Sequence, residues 1–168
     1  MSIKKIYQGT VLKLAIVMMV ISATESYAAP HIEGLIDETV NPCISASESL
    51  TEQDLEKLIQ NAKAMLNPCY KALLGLDEFE KANPSITPSE KNYLFFKGGY
   101  VVWLAAAGET IGNNNTVNSR ICNQVRIAES LWSRVSVPQG HSVEQEINNY
   151  PLRPMLISMC QNVSSTPH

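Results

Sequence analysis

The side chains with the most chemistry to offer are few. Imidazole is confined to His31, His141 and His168, two of them near the ends of the chain. No Ser-His-Asp relay assembles around them. His141, between Gly140 and Ser142, stands where a loop would expose a general base, but a histidine without a neighbouring nucleophile reads as an ordinary loop residue. The four cysteines, Cys43, Cys69, Cys122 and Cys160, are spaced by 26, 53 and 38 residues. No C-x-x-C occurs, so zinc ribbons, c-type haem attachment and thioredoxin-like chemistry all lack their close pair. Bridged cysteines would also leave no thiolate to act as a nucleophile. Glu52, Glu56, Asp77, Glu78 and Glu80 supply carboxylates, yet a glycosidase needs two aimed at one cleft, and these read as solvent-facing helix positions. Lys97-Gly98-Gly99 has the composition of a phosphate loop but neither G-x-G-x-x-G nor Walker spacing, and it lies inside an apolar run. Neither a metal nor a cofactor is expected.

Tyr93, Phe96, Tyr100 and Trp103 form a stripe that lines either a core or a pocket between helices, and the core is the commoner use of such a stripe. Asn114-Asn115-Thr116 and Asn162-Val163-Ser164 match the N-glycosylation pattern, which matters only in a eukaryotic host.

The elements that must position these residues are helical. Leu55, Leu58, Ile59, Ala62, Met65 and Leu66 recur at three- and four-residue steps. Thr51 with Asp54 has the form of a capping box, and Leu50 with Leu55 that of a hydrophobic staple. Asn67-Pro68 is expected to end this helix, with Pro68 opening a shorter one towards Phe79. Thr87, Pro88 and Glu90 give three agreeing start signals for a helix over 88–111. That helix is apolar nearly all round, which places it at the centre of a bundle. Gly98 and Gly99 within it predict close approach of a neighbouring backbone, or else a kink. Gly112-Asn113-Asn114-Asn115 breaks the pattern. Ile121, Cys122, Val125, Ala128, Leu131, Trp132 and Val135 then mark another core face, ended by Pro138-Gln139-Gly140. Ser142 with Gln145 suggests a short helix to Asn149, and a last segment surrounds Met155, Leu156, Met159 and Cys160. No strand pattern appears. Residues 29–50, with Pro30, Gly34, Asn41-Pro42 and Ser45, Ser47 and Ser49, read as an irregular arm. The expected fold is all-α: a disulfide-bridged bundle of four to five helices over 51–162, with a flexible tail at 163–168.

Residues 1–28 have the order of a secretory signal: Lys4, Lys5 and Lys13, an apolar run over 14–23, then Ser26-Tyr27-Ala28 with small residues before the cut. The apolar run would rise only about 15 Å as a helix, half a bilayer's hydrocarbon thickness, so cleavage is preferred to anchoring. Cutting after Ala28 leaves Ala29-Pro30 as the new start; cutting after Ala29 would place proline at the scissile bond. An exported chain with four cysteines predicts two disulfides. Three pairings exist. Cys122 with Cys160 is preferred because these residues bracket the last two antiparallel segments, which leaves Cys43 with Cys69, a pairing the intervening chain length allows without forcing.

The 168 residues carry 13 basic and 16 acidic side chains. Loss of residues 1–28 would leave 10 basic and 15 acidic groups, unevenly spread: 29–90 holds 11 acidic and 4 basic, 91–168 holds 4 acidic and 6 basic. Nucleic-acid binding is disfavoured because no basic footprint meets the phosphates. One acidic end suits a basic partner or is simply a solvated helix face.

Phe95-Phe96-Lys97-Gly98-Gly99-Tyr100-Val101 in a central helix, a cysteine at the start of the next helix and another near the C-terminus give this exported chain a partial likeness over about 68–162. It resembles the small periplasmic immunity proteins that neutralise peptidoglycan amidases delivered by type VI secretion, though no cysteine lies beside Gly99-Tyr100. The resemblance implies a bridged helical architecture and inhibition by binding, without individual contact residues. The expected function is that of a soluble periplasmic or secreted binding protein with a protein partner and no catalysis of its own. A chaperone-like stress or assembly factor is the alternative, and an enzyme the third class. The polar loops, Gly112, Asn113, Asn114 and Asn115 in one, Gln139 and His141 in the other, are the expected contact points.

Overall fold

The computed structural model describes residues 30–136 and 152–164. The described residues form five α-helices: α1 Pro30–Ser47, α2 Leu55–Ala82, α3 Pro88–Gly112, α4 Ser119–Ser133 and α5 Arg153–Ser164, with a 3-10 turn at Glu48–Thr51. No strand occurs among the described residues. The all-α, disulfide-bridged expectation holds. None of the described helices is long and apolar enough to cross a membrane.

Each neighbouring pair runs antiparallel. Cys43 bridges Cys69 while Thr39 packs against Gly75, which fixes the sense of α1 against α2. Gly108 lies against Ala62 and Met65, whereas Gly98 lies near Leu76, so α3 reverses α2. Trp132 covers Gly99 and Arg120 pairs with Glu109, so α4 reverses α3. Cys122 bridges Cys160, and Arg153 meets Glu129, so α5 reverses α4. Both preferred pairings are therefore present, and no cysteine is free.

α3 is the axis of this meander, as its uniform apolarity requires. One side of it, Leu94, Val101, Leu104 and Ala105, packs with Ile36 and Val40 of α1 and Met65, Ala72 and Leu76 of α2. The other, Val102, Trp103, Ala106 and Ala107, packs with Ile121, Val125, Ala128 and Trp132 of α4 and Leu156 of α5. Its start is the expected capping box: Glu90 N–H donates to Thr87 Oγ1 at 3.3 Å, and Thr87 N–H to Glu90 Oε2 at 2.6 Å. The aromatic stripe joins this core, Trp103 being fully buried and 5.7 Å from Trp132 between ring centroids.

Four expectations are corrected. The arm over 29–50 is not irregular: α1 occupies Pro30–Ser47, and the bundle begins there rather than at residue 51. Ile32, Ile36, Val40 and Cys43 form a helical stripe, and Pro42 is exposed, so the carbonyl of Glu38 that it leaves without a donor faces water. Pro68 does not end the next helix either. α2 passes through it, because the orphaned carbonyl belongs to exposed Ala64 while both flanks are held by burial of Met65, Cys69 and Ala72. The Thr51 box is replaced by Asp54, whose carboxylate accepts from the N–H groups of Glu56 and Lys57 at 3.0 and 3.1 Å. Thr51 instead donates to the Glu48 carbonyl at 3.0 Å, and Leu55, 59% exposed, stands at the first helical position rather than at the N4 position a staple requires. Lastly, α5 carries helix through Ser164, into the segment expected to be a flexible tail. Ala28, Ala29, His168 and everything expected of 137–151, including Gln139, His141 and the short helix after Ser142, lie outside the described residues.

Candidate functional site

The α3–α4 connection is the expected polar loop, and local chemistry explains its shape. Gly112 closes α3, and Asn113 caps it. Asn114 and Asn115 follow at φ 54° and 60°, the left-handed region that asparagine tolerates better than other residues with a Cβ. Asn115 N–H donates to the Thr110 carbonyl at 2.8 Å and Asn114 N–H to Ile111 at 3.1 Å, the paired bonds of a Schellman ending. Thr116 returns its hydroxyl and its N–H to the Asn113 carbonyl at 2.6 and 3.2 Å. Asn118 then caps α4 by accepting from Ile121 N–H at 3.0 Å. Asn113 and Asn114 are exposed, and their carboxamides make no hydrogen bond among the described residues.

Beneath this turn lies a polar cluster that sequence reasoning missed. Glu109, one helical turn before the loop, is buried. Its Oε2 takes an ion pair at 2.7 Å from Arg120, one residue into α4, so the pair clamps the loop from both sides. Its Oε1 accepts a short hydrogen bond from the Tyr70 hydroxyl of α2. Gln124 Nε2 donates to that Oε1 at 3.1 Å and to Tyr70 Oη at 3.2 Å. Three helices thereby share one carboxylate. The side chain of Arg120 is 69% exposed against 2% for Glu109, so the pair reaches from the interior to the rim of the turn. The available signal was Glu109 as the one charged residue over 98–112, the apolar part of α3, which a buried position can hold only with partners.

Two further polar contacts hold the scaffold. Asp37 of α1 meets Lys97 Nζ at 2.8 Å and accepts from the Tyr93 hydroxyl at 2.9 and 3.0 Å, while that ammonium lies 5.2 Å from the centre of the Tyr93 ring. Burial, helped by the hydrogen bond to Asp37 and the negative charge of Asp37 and Glu33, pushes the Tyr93 phenol up from its usual range. Lys97 is thus an internal tether, not part of a phosphate loop. Arg153 engages Glu129 through both forks, Nε at 2.8 Å and Nη2 at 2.5 Å, which raises the guanidinium pKa further.

The described residues contain no group of three metal-ligating side chains. Of the carboxylates considered at the outset, Glu56, Asp77, Glu78 and Glu80 are exposed and Glu52 half-buried, and Asp77 pairs with Lys81 within its own helix. His31 falls in the first turn of α1. Comparison with family models, characterised proteins and solved structures yields no match. What the arrangement can do chemically is present a fixed polar turn.

Proposed function

We propose that this chain is an exported helical binding protein that inhibits a protein partner by occluding it, most concretely as an immunity protein against a cell-wall hydrolase, and that it performs no catalysis itself. The observation that carries this reading is the clamped turn. Asn113 and Asn114 offer unused carboxamides on a backbone already held by the Schellman bonds and the Glu109–Arg120 pair. A contact surface that loses little freedom on docking gains affinity from its preorganisation. Export agrees with the two disulfides, which persist in oxidising compartments such as the periplasm.

The test uses the chain from residue 29 onward, with both bridges formed, mixed with the hydrolase encoded by the adjacent reading frame. A stoichiometric complex and loss of peptidoglycan cleavage are expected. The double variant Asn113→Ala/Asn114→Gly removes both carboxamides while keeping the left-handed turn, and is expected to weaken the complex by about tenfold or more at unchanged thermal stability. A hydrolase that stays active beside saturating protein defeats the proposal. Capture of many unfolded clients in its place would favour the chaperone-like alternative.

A further inference from the structure

We propose that the outward face of α4 is a docking surface for an acidic protein partner, with Ile127 as its apolar centre and Arg120 and Arg134 as its two carboxylate-binding ends. These three residues stand seven apart, so they share one face of the helix, and the row spans about 21 Å. Ile127 is 44% exposed, an aliphatic side chain left in solvent midway between two guanidiniums. Arg126 is exposed beside it. No carboxylate on their own helix answers these charges. Glu129, the only acidic residue of α4, is half-buried and held by both forks of Arg153. Arg126 and Arg134 have no ion-pair partner among the described residues.

The two end arginines are held in place by the fold itself. Arg120 is anchored through Nη2 to buried Glu109, and its other guanidinium nitrogens make no hydrogen bond among the described residues. Arg134, which caps α4, lies with its guanidinium carbon 3.9 Å from the centre of the Phe95 ring, a cation–π contact that fixes the side chain without a carboxylate. A guanidinium already held loses less freedom when a carboxylate docks on its fork, and a central apolar contact between such forks excludes water from them. Charge also selects a protein over a polyanion. Residues 29–90 hold 11 acidic against 4 basic groups, so the rest of the molecule repels nucleic acid and anionic lipid, whereas a local cluster of carboxylates meets only the arginine face. Arg120 joins this face to the asparagine turn, so the assignment rests on the reading of the chain as a binding protein and adds the chemistry of its partner.

The test titrates the isotope-labelled chain from residue 29 onward, with both bridges formed, against a synthetic amphipathic helical peptide of leucines flanked by glutamates, and against the same peptide with lysine for glutamate. Saturable amide shifts centred on 120–134 are expected with the glutamate peptide alone, the affinity falling about tenfold from low to high salt. Ile127→Glu and Arg134→Glu, both at exposed positions, should each weaken binding by about tenfold, while Leu35→Glu on the exposed side of α1 leaves it unchanged. Absence of saturable binding, equal binding of the lysine peptide, shifts that map away from 120–134, or full binding by both α4 variants each overturns the proposal. So does a response of 120–134 to phosphatidylglycerol vesicles or single-stranded DNA in place of the peptide. A hydrolase that ignores the chain while the glutamate peptide binds 120–134 would defeat the immunity reading and uphold this face; a hydrolase complex indifferent to Ile127→Glu and Arg134→Glu would defeat this face alone.

Discussion

Gly98 and Gly99 are adjacent in sequence yet meet different neighbours. A Cβ on Gly99 would lie 2.4 Å from Trp132 Nε1, inside the bulky indole whose N–H donates to the Phe96 carbonyl at 3.2 Å. A Cβ on Gly98 would find Leu131 Cδ1 at 3.6 Å, an ordinary contact. The close approach that the glycines imply is thus made by a side chain, not by a backbone, and by only one of the pair. Gly99→Ala is expected to destabilise by about 1–3 kcal/mol through overpacking, and Gly98→Ala to stabilise by up to about 1 kcal/mol through helix propensity, both measured by denaturant unfolding. Equal effects would disprove the assignment. Tyr93 makes a pH prediction. In the unfolded chain its phenol ionises near pH 10, whereas the folded phenol holds its proton to higher pH, so the native state binds the extra proton. Its contribution to stability is therefore fully present below about pH 10 and is lost as pH rises beyond it. Stability of the native chain should fall more steeply above pH 10 than that of Tyr93→Phe. Parallel slopes would show that the phenol titrates normally.

At the scale of elements, proline was the misleading signal. Pro42 and Pro68 each stand inside a helix, and each had the sequence context of a boundary. Proline costs a helix about 3 kcal/mol through a missing N–H and a clash with the carbonyl four residues back. Tertiary burial of Val40 and Cys43 around one, and Met65, Cys69 and Ala72 around the other, outweighs that cost. Pro68→Ala should consequently stabilise the chain by about 1 kcal/mol or more, seen as a higher denaturant midpoint at unchanged slope. A loss of stability would mean that Pro68 contributes packing of its own. α3 and α4 were legible because all their signals agreed: Thr87, Pro88 and Glu90 at one start, αL-tolerant asparagines at the break, and an unbroken apolar face in α4. The turn of the candidate site was legible for the same reason. Its clamp was not, since Tyr70 and Gln124 stand 39 and 15 residues from Glu109 and meet it only after α2, α3 and α4 have packed.

For the molecule as a whole, the bridges are the dominant constraint on the unfolded chain. Separations of 26 and 38 residues correspond to roughly 3.5 and 4 kcal/mol of loop-closure stabilisation. Cys43→Ser/Cys69→Ser and Cys122→Ser/Cys160→Ser should each lose about that much in equilibrium unfolding. Losses below about 1 kcal/mol would place compact structure in the unfolded state. The sequence by itself determined the helical class, the central place of α3, the glycine-asparagine turn and the number of disulfides, while the choice among the three cysteine pairings was a preference that the folded bundle decided. What was determined follows from periodicity, local hydrogen bonding and parity, which act within a few residues or need only a count. Tertiary structure alone decided that α1 is helical, that α2 runs unbroken through Pro68, and that Glu109 and Lys97 are held by partners from other helices. A buried charge or an interior proline is tolerated only when distant side chains supply what the local chain withholds, and those chains become neighbours only in the folded bundle.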